Sequence, residues 1–173
     1  MRHGVCAEEE TKGWYLVVRW FLIFVWIALA GCALRPVERM EIGDVINCSR
    51  RVLIATQQSA FKESIVTQVT DALKEDACYI RVVDVSELNE ESPEEYRALI
   101  IANTCIAWSV NQAVKDFLKE VEAKQKVFLI TTVAGEDCGE LPAGVDAVTA
   151  ASKTGRSSEI AQEIVEKVLE LLI

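Results

Sequence analysis

Histidine is almost missing from this chain. Its single example, His3, stands 29 positions before Cys32, a residue that marks a boundary in the sequence. Without a histidine beyond that point, Ser-His-Asp and Cys-His catalysis are excluded, as is any His-ligated metal site. No Cys-x-x-Cys spacing occurs, which excludes a zinc ribbon and a thioredoxin-type redox motif. Basic residues are scarce against acidic ones, 18 to 27, for a net charge of −9. Such a surface repels phosphate backbones, so nucleic acid is not an expected partner. A hydrophobic run long enough to span a bilayer is also lacking. The longest one, Trp20 to Ala30, is about half of the ~20 residues a spanning helix needs.

What that short run does carry is a flank and an ending. Arg19 precedes it and Leu29-Ala30-Gly31-Cys32 closes it. A basic flank, a short apolar segment and a small-residue terminus are the parts of a secretory signal. The ending resembles the bacterial lipobox, and that resemblance implies cleavage before Cys32 and a lipid on its sulfur. The expected organisation is a signal peptide over 1–31, a lipidated tether over 32–50 and one domain over 51–173. Cleavage would leave 142 residues, enough for a full core. The membrane is then a partner through the anchor. With no basic surplus to hold anionic lipid, the acyl chains do the anchoring. Ala33 follows the cysteine where an Asp would act as a retention signal, which favours the outer membrane in a Gram-negative cell.

Beyond residue 50, strands and helices alternate. Arg51–Thr56, Tyr79–Val85, Ala98–Ala102, Lys126–Thr132 and Val145–Val148 are short apolar runs suited to buried strands. Phe61, Ile65, Val66, Val69 and Leu73 recur at helical spacing, as do Val110, Val114, Phe117 and Leu118, and Ile160, Ile164, Val168 and Leu172. Ser92-Pro93-Glu94-Glu95 predicts a short helix start with a capping box, and Ser109 with Gln112 predicts another. This order of elements predicts an α/β three-layer sandwich around a five-stranded parallel sheet.

Tyr96 to Lys119, with Ala98-Leu-Ile-Ile-Ala102 leading into Val114-Lys-Asp-Phe-Leu118, resembles the third strand, flavin loop and following helix of flavodoxins. The resemblance covers roughly residues 51–172 as a fold and implies sheet order 2-1-3-4-5. It places a ligand beyond the carboxyl ends of the strands, where three loops meet. In the first loop, Thr56, Ser59 and Lys62 are the candidates for FMN phosphate, with Ser59 equally readable as an ordinary helix cap. Ala60 and Phe61 stand where the family has polar residues. The second loop, Asn103 to Ser109, offers Thr104 and Trp108, the indole either stacking on a flavin or packing. The third loop, Thr131 to Glu140, lacks the aromatic that many flavodoxins use. Asp146 to Ser152 resembles a motif at which FMN is attached covalently, with Ser152 as the linkage. Two functional readings follow: an FMN-binding electron-transfer protein with an envelope redox partner, or a non-catalytic binding module that keeps the fold without the flavin.

Export would place Cys48, Cys78, Cys105 and Cys138 in an oxidising compartment. In the 2-1-3-4-5 order, Cys48 and Cys78 both precede neighbouring strands, and Cys105 and Cys138 both follow neighbouring strands. The expected disulfides are therefore Cys48–Cys78 and Cys105–Cys138. The alternatives are four thiols that never meet, or a reactive Cys105 near a helix start.

Overall fold

The computed structural model describes residues 36–46, 48–133, 138–139, 141–151 and 154–173. Cys32 and Ser152 lie outside the described residues, as does the expected signal peptide over 1–31. Six strands form one sheet: β1 (Met40–Gly43), β2 (Arg51–Thr56), β3 (Tyr79–Asp84), β4 (Ala98–Thr104), β5 (Val127–Val133) and β6 (Asp146–Ala151). Three helices accompany them: α1 (Ala60–Leu73), α2 (Gln112–Glu120) and α3 (Ser157–Leu172). Among the described residues no helix is long and apolar enough to cross a membrane.

The sheet order is β1-β3-β2-β4-β5-β6. β2 to β6 run parallel and follow the expected order, with Ile54 opposite Val82 on one side and Ile100 on the other. Successive side chains of a strand point to opposite faces, so each apolar run feeds two cores. Val52, Ile54, Ile80, Ile100 and Ile130 face α1 and α3. Leu53, Ala55, Val83, Leu99, Ile101 and Leu129 face α2 and the 3-10 turn Val85–Glu90. Both faces are covered, which is why the strands read as continuous apolar runs instead of alternating ones.

The sixth strand corrects the sequence reading. Residues 32–50 were expected to be a tether, yet Met40–Gly43 pairs antiparallel with β3, Met40 opposite Val82 and Gly43 opposite Tyr79. Only Ile42 of the four is partly buried, and the alternation Met40-Glu41-Ile42 is too short to announce a strand. Gly43 ends it at φ +90, and a Cβ there would lie 2.1 Å from the Cys78 carbonyl oxygen. The two expected capping boxes also give way. Pro93–Glu95 is a single 3-10 turn without a side-chain cap from Ser92, cut short because Ala98 enters the sheet. Ser109 is held in a tight hairpin by two backbone hydrogen bonds with Ile106, so α2 starts later. Asn111 caps it, its side chain accepting from the Ala113 N–H at 2.9 Å.

Cys48 is bonded to Cys78 and Cys105 to Cys138, with Cα separations of 5.7 and 5.8 Å. Both pairs are those that the strand order leads one to expect, one at each edge of the sheet.

Candidate functional site

β2 lies between β3 and β4, so the chain leaves β2 toward one side and returns to the other. The loops after β2 and β4 part at that switch point, the place where sheets of this kind carry a ligand crevice at the carboxyl edge. Thr56 and Thr104 end β2 and β4, Ser59 and Lys62 stand at the start of α1, and Trp108 lies in the loop after β4. The structure joins two of them directly and uses a third for another purpose.

Ser59 has extended backbone, and its hydroxyl accepts from the Lys62 N–H at 3.2 Å. It is the N-cap of α1, which leaves that amide unavailable to a phosphate. Phe61 is buried in the core, 3% exposed. Thr56 is buried, its hydroxyl donating to the Gln57 carbonyl at 3.4 Å. Gln57 then crosses the crevice. Its N–H donates to the Ala102 carbonyl at 3.2 Å, and its side-chain oxygen accepts from the Thr104 N–H at 2.7 Å.

Lys62 is 1% exposed, and its ammonium donates to the Thr104 hydroxyl at 2.5 Å. Burial pushes its pKa down to about 8, with Asp84 pulling weakly the other way. No carboxylate lies within ion-pair distance of it among the described residues. Asp84 is committed elsewhere: it accepts from the Ser86 N–H at 2.9 Å, the Ser86 hydroxyl at 2.7 Å and the Val37 N–H at 3.1 Å. Burial acts to raise the Asp84 pKa, but these bonds and Lys62 outweigh it and hold the carboxyl below its ordinary value.

Beneath the crevice lies a buried polar layer. Asn103, fully buried, donates to the Thr131 hydroxyl at 3.1 Å and accepts from the Asn111 N–H at 3.3 Å. The Thr132 hydroxyl lies 3.3 Å from the Asn103 carbonyl and 3.4 Å from the Thr104 hydroxyl. Sequence reasoning missed Gln57 and Asn103. For Asn103 a signal existed: it is the first polar side chain to follow the apolar run of β4.

Above the crevice, the second loop stands out as a hairpin. Ala107 and Trp108 have φ of 51 and 58, a left-handed pair that reverses the chain between Ile106 and Ser109. Cys105 is fixed by its disulfide and by an N–H donated to the Thr132 carbonyl at 2.8 Å. Gly139 packs so closely that a Cβ there would sit 2.6 Å from the Trp108 carbonyl oxygen. The hairpin is thus rigid, and it presents Ile106 and Trp108 at 66% and 78% exposure. Of the third loop, Cys138 and Gly139 are described, while residues 134–137 and 140 lie outside the described set.

These residues do not fit the phosphate of FMN. The Ser59 hydroxyl caps its own helix, Phe61 sits in the core, and both polar groups of Thr104 are engaged by the first loop. The Lys62 charge is spent inside the protein and not on an open cradle.

No protein-family model matches the chain, and no curated protein matches it by sequence. Solved structures do resemble it. The flavodiiron protein from Giardia intestinalis superimposes with a TM-score of 0.52 at 11% identity, over 72% of this chain and 37% of that one. A flavodoxin from the domain Archaea gives 0.49 at 8% identity, over 70% and 98%. Megasphaera elsdenii flavodoxin gives 0.48 at 13%, over 69% and 98%. At such identities the likeness is one of architecture, and the architecture of this domain is flavodoxin-like.

Proposed function

We propose that this chain is a lipid-anchored, flavodoxin-like domain of the bacterial cell envelope that works as a non-catalytic binding module. The observation that carries the reading is the bridge across the switch-point crevice: Gln57 and Lys62 both close onto Thr104. A flavin phosphate would have to break both contacts and undo the Ser59 cap. The module's contact surface is the carboxyl edge, where Ile106 and Trp108 stand in solvent.

Purified protein tests this directly. It should be colourless, and FMN well above micromolar concentration should neither lose fluorescence nor raise the melting temperature. Yellow protein, or a melting temperature that climbs with FMN, would sink the reading.

A second reading, an FMN electron carrier serving an envelope redox partner, is favoured by one observation. Trp108 is an uncovered indole on the loop that meets the flavin in flavodoxins. In that case Thr56, Ser59, Lys62, Thr104 and Trp108 would hold the flavin, and a flavin that survives denaturation would point to Ser152. The anchor is tested separately. Labelled palmitate should enter the protein, and Cys32→Ala should leave unlabelled precursor.

A further inference from the structure

We infer that Ile106 and Trp108 dock the domain on the membrane surface that carries its anchor. The inference rests on the proposed lipidation of Cys32 and adds an orientation to it. The chain enters the domain at the carboxyl edge. Val37 donates its N–H to Asp84, the last residue of β3, and β1 then runs antiparallel to β3, away from that edge. Cys32 precedes Val37 by five positions, a reach of at most about 17 Å in extended chain. A lipid on Cys32 would therefore tether the domain to the bilayer from its carboxyl edge.

That edge is where the fold exposes an isoleucine and a tryptophan side by side on a rigid hairpin. Exposed large apolar side chains in a cluster mark a contact surface. Tryptophan settles at the membrane–water interface, where its ring is half buried and its N–H stays wet. The left-handed backbone at Ala107 and Trp108 and the Cys105–Cys138 bond keep the tip from folding back into the crevice. Charge selects the kind of surface. The chain carries −9, so the matching surface is zwitterionic.

The protein holds its own reporter. Trp14, Trp20 and Trp26 precede Cys32, so cleavage leaves Trp108 as the sole tryptophan. Processed, lipidated chain is reconstituted into phosphatidylcholine vesicles containing a nitroxide-labelled lipid. Trp108 emission should be about halved by the label and shielded from aqueous iodide. Ile106→Ser should lose most of that quenching with the melting temperature unchanged, and added phosphatidylglycerol should weaken it. Emission that iodide reaches as freely as it does N-acetyltryptophanamide, with no quenching by the lipid label, overturns the proposal. Shielding that needs FMN instead of vesicles, or that rises with protein concentration without lipid quenching, overturns it as well. The mass of the mature protein separates the two failures. An unacylated chain faults the anchor, and an acylated chain with a wet Trp108 faults the docking.

Discussion

Two buried lysines stand at opposite edges of one sheet, and their surroundings differ. At the amino edge, Lys126 is 8% exposed and donates to the carbonyls of Pro93 and Tyr96 at 2.9 and 3.3 Å, with Glu94 at 3.5 Å. Its donors and its charge are both met. At the carboxyl edge, Lys62 is more deeply buried and has one neutral hydroxyl. Burying a charge costs free energy unless it is paired and hydrogen-bonded. The amino-edge lysine is therefore structural, whereas the carboxyl-edge lysine is a standing cost. A fold carries such a cost where another constraint has shaped the site, here a crevice that its own side chains have closed.

The largest effect should come from the staples, one at each edge. Each closes a loop of similar length, with sequence separations of 30 and 33. Removing either by paired Cys→Ala changes should cost about 3.5 kcal/mol in urea unfolding if chain entropy governs. Unequal losses would show that the edges differ in more than their lysines.

Next comes pH. A lysine whose pKa falls on folding binds its proton less tightly in the native state than in the unfolded one. Stability then rises with pH between the two values. The penalty is fully present below about pH 8, the folded value, and is relieved as pH climbs toward 10.5. Relative to Lys62→Met, the wild type should gain about 3 kcal/mol across that window. Parallel pH profiles for the two proteins would show that Lys62 is not desolvated.

Lys126→Met should act with the opposite sign at neutral pH. It strips two carbonyls of their donor and should destabilise by about 2 kcal/mol, while Lys62→Met stabilises. If both changes destabilise, the contrast between the edges fails. Trp108→Ala should move stability by less than about 0.5 kcal/mol, because the indole packs on little. A larger loss would make the hairpin tip part of the core.

Much of this could be read from residues alone, for a physical reason. A strand buried on both faces is mostly apolar, so β2, β4 and β5 announce themselves, and their alternation with helices predicts a parallel sheet; the strand order, and with it both disulfides, is what the flavodoxin resemblance implies. β1 escaped because its alternation, Met40-Glu41-Ile42, is cut off at Gly43 before it is long enough to detect. Ser109 misled because hydroxyl spacing cannot show that its backbone is committed to a hairpin. The candidate site was legible in place but not in use. Ser59 reads equally as cap or cradle, and only geometry shows its oxygen turned to its own helix. Lys62 reads as a charge for a ligand site, whereas its ammonium is buried against Thr104, 42 residues away.

The Cys48–Cys78 bond has a mechanical consequence. β1 is the first strand that tension from the preceding chain would meet, and as a four-residue edge strand held on one side it peels at low force. Peeling would free the stretch from Val37 to Cys48, whose extended contour is about 36–40 Å. There the load passes into a covalent link to the residue preceding β3, and extension stops before β2 is touched. The domain can thus yield to a tug and still keep its core.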